Sequence, residues 1–315
     1  MLAPKLPIIG IDLMGGDVSP NDLFSELFSF LKENDSFTPV IFATSDIKIP
    51  SSFKVIKAES CITMHDDPIQ SIETKKDSSL CLGLQHLAER KIDAFVSSGN
   101  TGALLVGSKT ILDTLPGIER PALLTLLPTK KGEVAILDVG ANISLKSKHL
   151  FQLASMGLAY QKSLGFENPK MALLNIGKEP SKGTPQLREA YLLLEKFPHF
   201  VGNIEARDVF EGNIQVLVTD GFAGNVFLKT AEGVASFILS ELEETLPSEL
   251  IATLRLRLNY TEYPGAVLCG VNGIVVKCHG DAGPEAFISS IKEACRLVQN
   301  EFLGTMKDEL LKASV

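Results

Sequence analysis

The 315-residue sequence contains no tryptophan, only five cysteines and five histidines, and no excess of positive charge. Cys61, Cys81, Cys269, Cys278 and Cys295 lie far apart with no C-x-x-C pair, which argues against both a disulfide framework and a zinc site. Buried free thiols are expected instead. A net charge of −8 supplies no clustered Lys and Arg to neutralise a phosphate backbone, so nucleic acid is not expected as a partner. No apolar run reaches the roughly 18 residues of a spanning helix. The N-terminal segment passes from Lys5 into Ile8-Ile9-Gly10-Ile11 without a signal-peptide layout, so a cytoplasmic protein is expected. No G-x-G-x-x-G follows a strand-like run, so a nicotinamide-type dinucleotide lacks its usual loop, and no cofactor is expected. His65-Asp66-Asp67 has no second cluster at ligand spacing, and no metal is expected. Cys278 and His279 are neighbours in an extended segment and point to opposite faces, which disfavours a thiol nucleophile with its base.

What the chain does have is an apolar content of 45%, enough for a large core. Strand-like runs at 8–13, 39–43, 53–57, 93–97, 122–127, 133–138, 170–176, 214–218 and 267–277 alternate with helical stretches near 22–33, 78–90, 101–114, 147–164, 186–196, 225–245 and 283–303. This alternation predicts βαβ units around a mostly parallel sheet, in one α/β domain spanning 1–315. Phe287, Ile291, Ala294, Val298 and Phe302 form one stripe of the last helix. Segment 234–262 differs: an apolar helix with Glu241, Glu243 and Glu244, then Pro247-Ser248, then alternating Leu and Arg through Arg255 and Arg257, reads as a helical hairpin.

Five glycine- and asparagine-rich turns follow apolar runs: Asp12-Leu13-Met14-Gly15-Gly16-Asp17, Ser98-Gly99-Asn100-Thr101-Gly102, Asp138-Val139-Gly140-Ala141-Asn142, Asn175-Ile176-Gly177 and Asp220-Gly221-Phe222-Ala223-Gly224-Asn225. Turns at strand ends are where open α/β sheets bind ligands, and glycine lets backbone N–H groups gather around an anion. The 98–102 turn opens a helix whose N-terminus favours negative charge; alone, it equally fits an ordinary turn capped by Thr101. Lys182 and Lys229 fall near these turns. Lys75-Lys76, at a helix start that Asp77 or Ser78 caps, either reaches an anion or forms a solvated face. Glu205, Arg207 and Asp208 after Gly202-Asn203 fit either a charged site loop or an ion-pair network. His279, after the strand ending at Lys277, fits either an anion donor or a packing histidine.

Taken in order, GIDLMGGD (10–17), KKDSS (75–79), SSGNTGAL (97–104), PGIERPAL (116–123), LDVGAN (137–142), LLNIGKE (173–179) with KG (182–183), VGNIEARD (201–208), TDGFAGNVFLKTAEG (219–233) and LCGVNGIVVKCHG (268–280) closely resemble the bacterial acyl-ACP:phosphate acyltransferase family, over residues 8–303. The resemblance implies a Rossmann-like three-layer α/β/α fold of the isocitrate and isopropylmalate dehydrogenase type, with a protruding helical hairpin and usually a homodimer. It implies an enzyme that makes acyl-phosphate from long-chain acyl-ACP and inorganic phosphate, for a membrane acyltransferase that acylates glycerol 3-phosphate. Phosphate is itself the nucleophile, so the missing dyad is in keeping with this chemistry. Asn225, Lys182 and Lys229 are then expected around phosphate and oxyanion, with His279 near the leaving thiolate. Asp12, Lys75 and Lys76, and the backbones of Gly15, Gly16, Gly99, Gly102 and Gly177, are expected to bind anions; Asn100, Thr101, Asn142 and Asn203 supply side-chain contacts. Arg255 and Arg257 in the hairpin fit contact with the carrier protein, contact with the inner face of the membrane, or a solvated face. The sequence departs from the family at Leu13, Cys278 and Pro264, where Ala, Ser and Gly are usual, and Cys278 argues against a hydroxyl role there. A phosphotransacetylase acting on short-chain acyl-CoA is the nearest rival. A decarboxylating dehydrogenase of the same fold class and a non-catalytic binding scaffold are the others.

Overall fold

The computed structural model describes residues 6–243, 245–258, 265–278 and 283–313, and the chain clusters into two compact units. The first comprises Met1–Pro116 and Pro264–Gly304, the second Gly117–Tyr263 and Thr305–Val315.

In the first unit, β1 (Ile8–Asp12), β2 (Thr38–Thr44), β3 (Lys54–Ala58), β4 (Ala94–Ser97), β10 (Ala266–Cys269) and β11 (Ile274–Lys277) lie in the order β3-β2-β1-β4-β11-β10. All neighbours are parallel except the β10–β11 hairpin. Ile9, Ile11, Ile41, Phe42, Phe95 and Val96 are fully buried, the near-continuous apolar run of a sheet covered on both faces. The helices α1 (Pro20–Glu33), α2 (Pro68–Thr74) and α3 (Ser79–Ala88) lie in the connections between parallel strands, while α4 (Thr101–Ile111) follows β4 and α10 (Pro284–Gln299) follows β11. Phe287, Ile291 and Ala294 of the anticipated stripe are fully buried in α10.

In the second unit, an antiparallel pair, β5 (Ala122–Thr129) and β6 (Gly132–Leu137), continues into parallel strands β9 (Val216–Val218), β7 (Met171–Leu174) and β8 (Phe200–Ile204), in the order β5-β6-β9-β7-β8. Helices α5 (Ser147–Ser163), α6 (Pro185–Leu194), α7 (Ala206–Val209), α8 (Gly221–Glu243) and α9 (Ser248–Leu258) complete it, with most of α11 (Phe302–Ala313).

Three expectations need correction. The run 267–277 is a hairpin rather than one strand, because Gly270, at φ +90°, turns the chain between β10 and β11. The helix expected to 303 stops at Gln299, where Asn300 caps it and Glu301 takes φ +52° before α11 begins. The arm expected from 234 is the distal part of a 23-residue helix that already starts at Gly221, and α9 packs back on it after Pro247. Among the described residues, no helix is long and apolar enough to cross a membrane. Of the five cysteines, four are buried and Cys61 is half-buried.

Candidate active site

The second unit assembles its turns around Asp138, the first residue past β6. Its carboxylate is fully buried and accepts five hydrogen bonds. Oδ1 takes the N–H groups of Leu123 (3.1 Å), Gly140 (3.2 Å) and Ala141 (3.0 Å). Oδ2 takes the Asn142 N–H (2.7 Å) and the Asn142 side-chain amide (2.9 Å). One side chain thus rigidifies the whole 138–142 turn. Burial nevertheless pushes its pKa above the usual carboxylate range, and the amide donors only partly offset that. The second Asn142 amide proton goes to the Pro121 carbonyl at 2.8 Å.

The α8 helix starts directly against this turn. Gly221 N–H donates to the Asn142 carbonyl at 2.8 Å. A Cβ on Gly224 would stand 1.9 Å from the Asp138 carbonyl oxygen, so no residue but glycine allows this approach. Asp220 caps the helix through Ala223 N–H at 2.7 Å. The result is that the exposed Asn225 side chain lies beside Gly140, whose φ of +129° bares the backbone there; a Cβ on Gly140 would be 3.8 Å from Asn225 Oδ1. One turn further, Lys229 is ion-paired at 2.8 Å with Glu232, whose side chain is buried.

Lys182 sits in the loop after β7. Asn175 donates to the Lys182 carbonyl at 3.2 Å, and the Lys182 methylenes pass so close to Gly177 that a Cβ there would meet Cγ at 3.1 Å. Lys182 is exposed. Asn203, in β8, tethers the same loop by donating to the Glu179 carbonyl at 2.9 Å. Glu205, Arg207, Asp208 and Lys178 form an ion-pair network, Lys178 to Asp208 at 2.7 Å, which holds the Asp208 carboxyl below its ordinary range.

The first unit has its own turn cluster. Asp12, Ser97 and Lys277 end three adjacent strands at one register, so their side chains share a face. Ser97 Oγ donates to Asp12 Oδ2 at 2.8 Å and accepts the Gly99 N–H at 3.1 Å, while Met14 N–H donates to Asp12 Oδ1 at 3.0 Å. Burial pushes the Asp12 pKa up to about 6, against the opposing pull of Met14, Ser79, Ser97 and the Lys277 charge. Lys277 is buried and donates to the carbonyls of Ser98, at 3.2 Å, and Cys278. Gly15, at φ +80°, comes within contact of Gly99 and Ile62, and a Cβ on it would fall 2.4 Å from the Ile62 carbonyl oxygen. Gly16 adjoins it, half-buried.

Asn100, rather than Thr101, is the N-cap of α4, accepting Ala103 N–H at 3.0 Å. Its amide donates to the carbonyls of Thr63 (3.1 Å), Met64 (3.3 Å) and Asp66 (3.1 Å), which fixes the loop carrying His65-Asp66-Asp67. Thr101 and Gly102 form the half-buried first turn, Gly102 packing on Pro68. Lys75 is tied to Asp66 at 2.7 Å and to the Cys61 carbonyl at 3.1 Å, whereas Lys76 is exposed; Ser78 caps α3. Arg255 pairs with Glu243 across α8 and α9. His279 and the Arg257 side chain lie outside the described residues. Among the described residues no cluster of three metal-ligating side chains occurs.

Residues 8–304 match the model of a family described as "Fatty acid synthesis protein". The chain is 44% identical to a phosphate acyltransferase of Chlamydia pneumoniae, over 92% of this chain and 95% of that one. This chain belongs to the phosphate acyltransferase family. A second relative with that name, from Caldicellulosiruptor bescii, is 38% identical over 97% of this chain and 99% of its own length. Membership makes the protein an acyltransferase. Its fold is that of the EutD phosphotransacetylase from Staphylococcus aureus, at a TM-score of 0.62 and 16% identity, covering 95% of this chain and 96% of that one. A 4-hydroxythreonine-4-phosphate dehydrogenase from Klebsiella pneumoniae shares it at a TM-score of 0.57 and 13% identity, covering 93% and 98%. The α/β fold expected of the dehydrogenase type is therefore present.

Ser97, Lys277, Glu232 and Asp138 carry no individual signal as site residues in the patterns described above. Glu232 was findable, three residues from Lys229 on one helix face; Ser97 and Lys277 join Asp12 only through sheet register.

Proposed function

We propose that the protein transfers the acyl group of a long-chain acyl-ACP to inorganic phosphate, yielding an acyl-phosphate for phospholipid synthesis. A phosphate oxygen attacks the thioester carbonyl carbon; as the C–O bond forms, the C–S bond breaks and the electron pair leaves with the carrier's thiolate. Membership of the family supports the reaction class. The observation that carries the residue assignment is Asn225 at the head of α8, held over the bared Gly140 backbone by glycine-only packing on the Asp138 turn. An amide donor carried on a rigidly seated helix N-terminus suits a developing oxyanion, because its support does not reorganise during the reaction. Lys182, exposed and with its stem packed on Gly177, is assigned to the phosphate. Lys229 is held by Glu232 and is assigned a supporting charge. Asn142 and Asn203 are assigned to holding the loops that present these groups, and His279 to the thiolate. In the first unit, Asp12 and Asn100 hold the turns in which Gly15, Gly16, Thr101 and Gly102 are assigned to an anion, whereas the Gly99 N–H is taken by Ser97; Lys75 joins the same loop through Asp66, and Lys76 follows it in the chain.

A homodimer, docking of the acidic carrier, and peripheral contact with the membrane and its glycerol-3-phosphate acyltransferase belong to the same proposal. Exposed Val234, Phe237 and Ile238 on distal α8, with Arg255 on α9, support an interacting surface there. The test is thiol release from palmitoyl-ACP with and without inorganic phosphate, with mass detection of palmitoyl-phosphate. Phosphate-dependent release with that product is expected. No release from ACP, with turnover of acetyl-CoA, would instead assign a short-chain phosphotransacetylase.

A further inference from the structure

Ile176 and Ile143, at 82% and 78% exposure, are the most exposed large apolar residues among those described, and Phe222 is 64% exposed. Single exposed apolar side chains are ordinary. These three share a location. Strands β6, β9 and β7 are consecutive, with Leu137, Val218 and Leu173 at one register, and Ile143, Phe222 and Ile176 each lie a few residues past that level. The Gly221 N–H to Asn142 carbonyl bond, at 2.8 Å, joins the residues just before Phe222 and Ile143. The tips are also fixed: Ile176 N–H donates to Asn175 Oδ1 at 2.8 Å, and the Asp138 carboxylate holds the turn that ends at Asn142. Each apolar tip adjoins a polar residue assigned above, Ile143 beside Asn142, Phe222 near Asn225 and Ile176 in the Lys182 loop.

We infer that Ile143, Ile176 and Phe222 form an apolar rim along which the acyl chain runs outward from its thioester carbonyl, past its first few carbons, and thereby set chain-length preference. This rests on the acyl-transfer reading. The acyl thioester is the one substrate with a carbonyl for the polar groups and a long apolar chain beside it; phosphate offers no apolar surface, so the rim acts on one substrate only. Covering the rim with chain removes side-chain and substrate surface from water together, so its contribution grows with the length of chain that lies along it, and a butanoyl chain is too short to cover it.

The experiment compares the wild type with Ile143→Ser, Ile176→Ser, Phe222→Ser and the triple variant. It measures kcat/KM with hexadecanoyl-ACP and butanoyl-ACP, KM for phosphate, and mass in solution. The triple variant is expected to lose at least ~10-fold on hexadecanoyl-ACP and less than ~3-fold on butanoyl-ACP, with phosphate KM and mass unchanged. Equal losses on both chains, or losses that accompany a change of mass, would overturn the inference, the latter by showing that a second copy covers the rim. A wild type without phosphate-dependent thiol release would reject the acyl-transfer reading by itself. Calorimetric binding of hexadecylphosphonate then decides the rim without turnover: at least ~10-fold weaker binding by the triple variant supports it, and equal affinity or no binding to the wild type overturns it.

Discussion

Replacing Asp138 with Asn tests the central claim that one carboxylate holds the turn on which Asn142 and α8 rest. The two side chains have the same shape, so only the chemistry changes. In the less damaging orientation the remaining carbonyl oxygen keeps the N–H groups of Leu123, Gly140 and Ala141, while the new NH2 group replaces Oδ2. It then faces the Asn142 N–H and the Asn142 amide, two donors against a donor. Removing the charge gives some relief, because burial already disfavours the carboxylate and raises its pKa. That relief does not restore acceptors: each buried donor left unpaired costs about 1–3 kcal/mol, so a loss of roughly 2–6 kcal/mol is expected. Against a total stability of about 5–15 kcal/mol this is large. Urea unfolding gives the magnitude, and amide hydrogen exchange at Ala141 and Asn142 locates it. A change under ~1 kcal/mol with unchanged exchange would refute the reading that these bonds carry the turn.

Three further outcomes follow from the same geometry. Gly224→Ala places a methyl group 1.9 Å from the Asp138 carbonyl oxygen and 2.7 Å from Thr219 Cγ2; calorimetric melting should show a destabilisation of about 1–3 kcal/mol or more, accompanied by reduced turnover, whereas a native melting profile would contradict the close approach. Asn225→Ala and Lys182→Ala should each lower kcat by about 10²–10³ with melting unchanged, and near-native turnover in either would reject that residue's role. Asp12 binds its proton more tightly folded, near pH 6, than as an ordinary aspartate at 3.8, so between those values the folded state holds a proton that the unfolded state has lost, and stability falls as pH rises. The fall amounts to about 3 kcal/mol, complete above the folded pKa, and Asp12→Asn should remove it; a wild-type and variant difference independent of pH from 4 to 7 would refute the shift.

Much of the sheet was legible because strands buried on both faces read as apolar runs, as Val40-Ile41-Phe42-Ala43 and Ala135-Ile136-Leu137 do. β8 was not, since Gly202 and Asn203 look like turn residues and only pairing with β7 makes them strand. The break between α10 and α11 has no glycine or proline to mark it; Glu301 adopts its positive φ without one. The hairpin between β10 and β11 did carry its signal in Gly270, and the apolar residues around it concealed that.

The site divides along the same physical line. Glycines and asparagines identified the turns, but the sequence does not say whether such a residue serves a ligand or the fold. Gly221 and Gly224 read as turn residues and are helical; their small size serves the seating of α8 on Asp138. Asn100 reads as a ligand group, yet its partners are carbonyls more than thirty residues earlier in the chain, a relation that no local pattern encodes. Asn225 is different, because Gly221 and Gly224 before it pack inward and it remains exposed at the head of the helix. Exposure on a rigid support, rather than residue type, is therefore what separates the polar groups assigned to substrate from those that hold the turns.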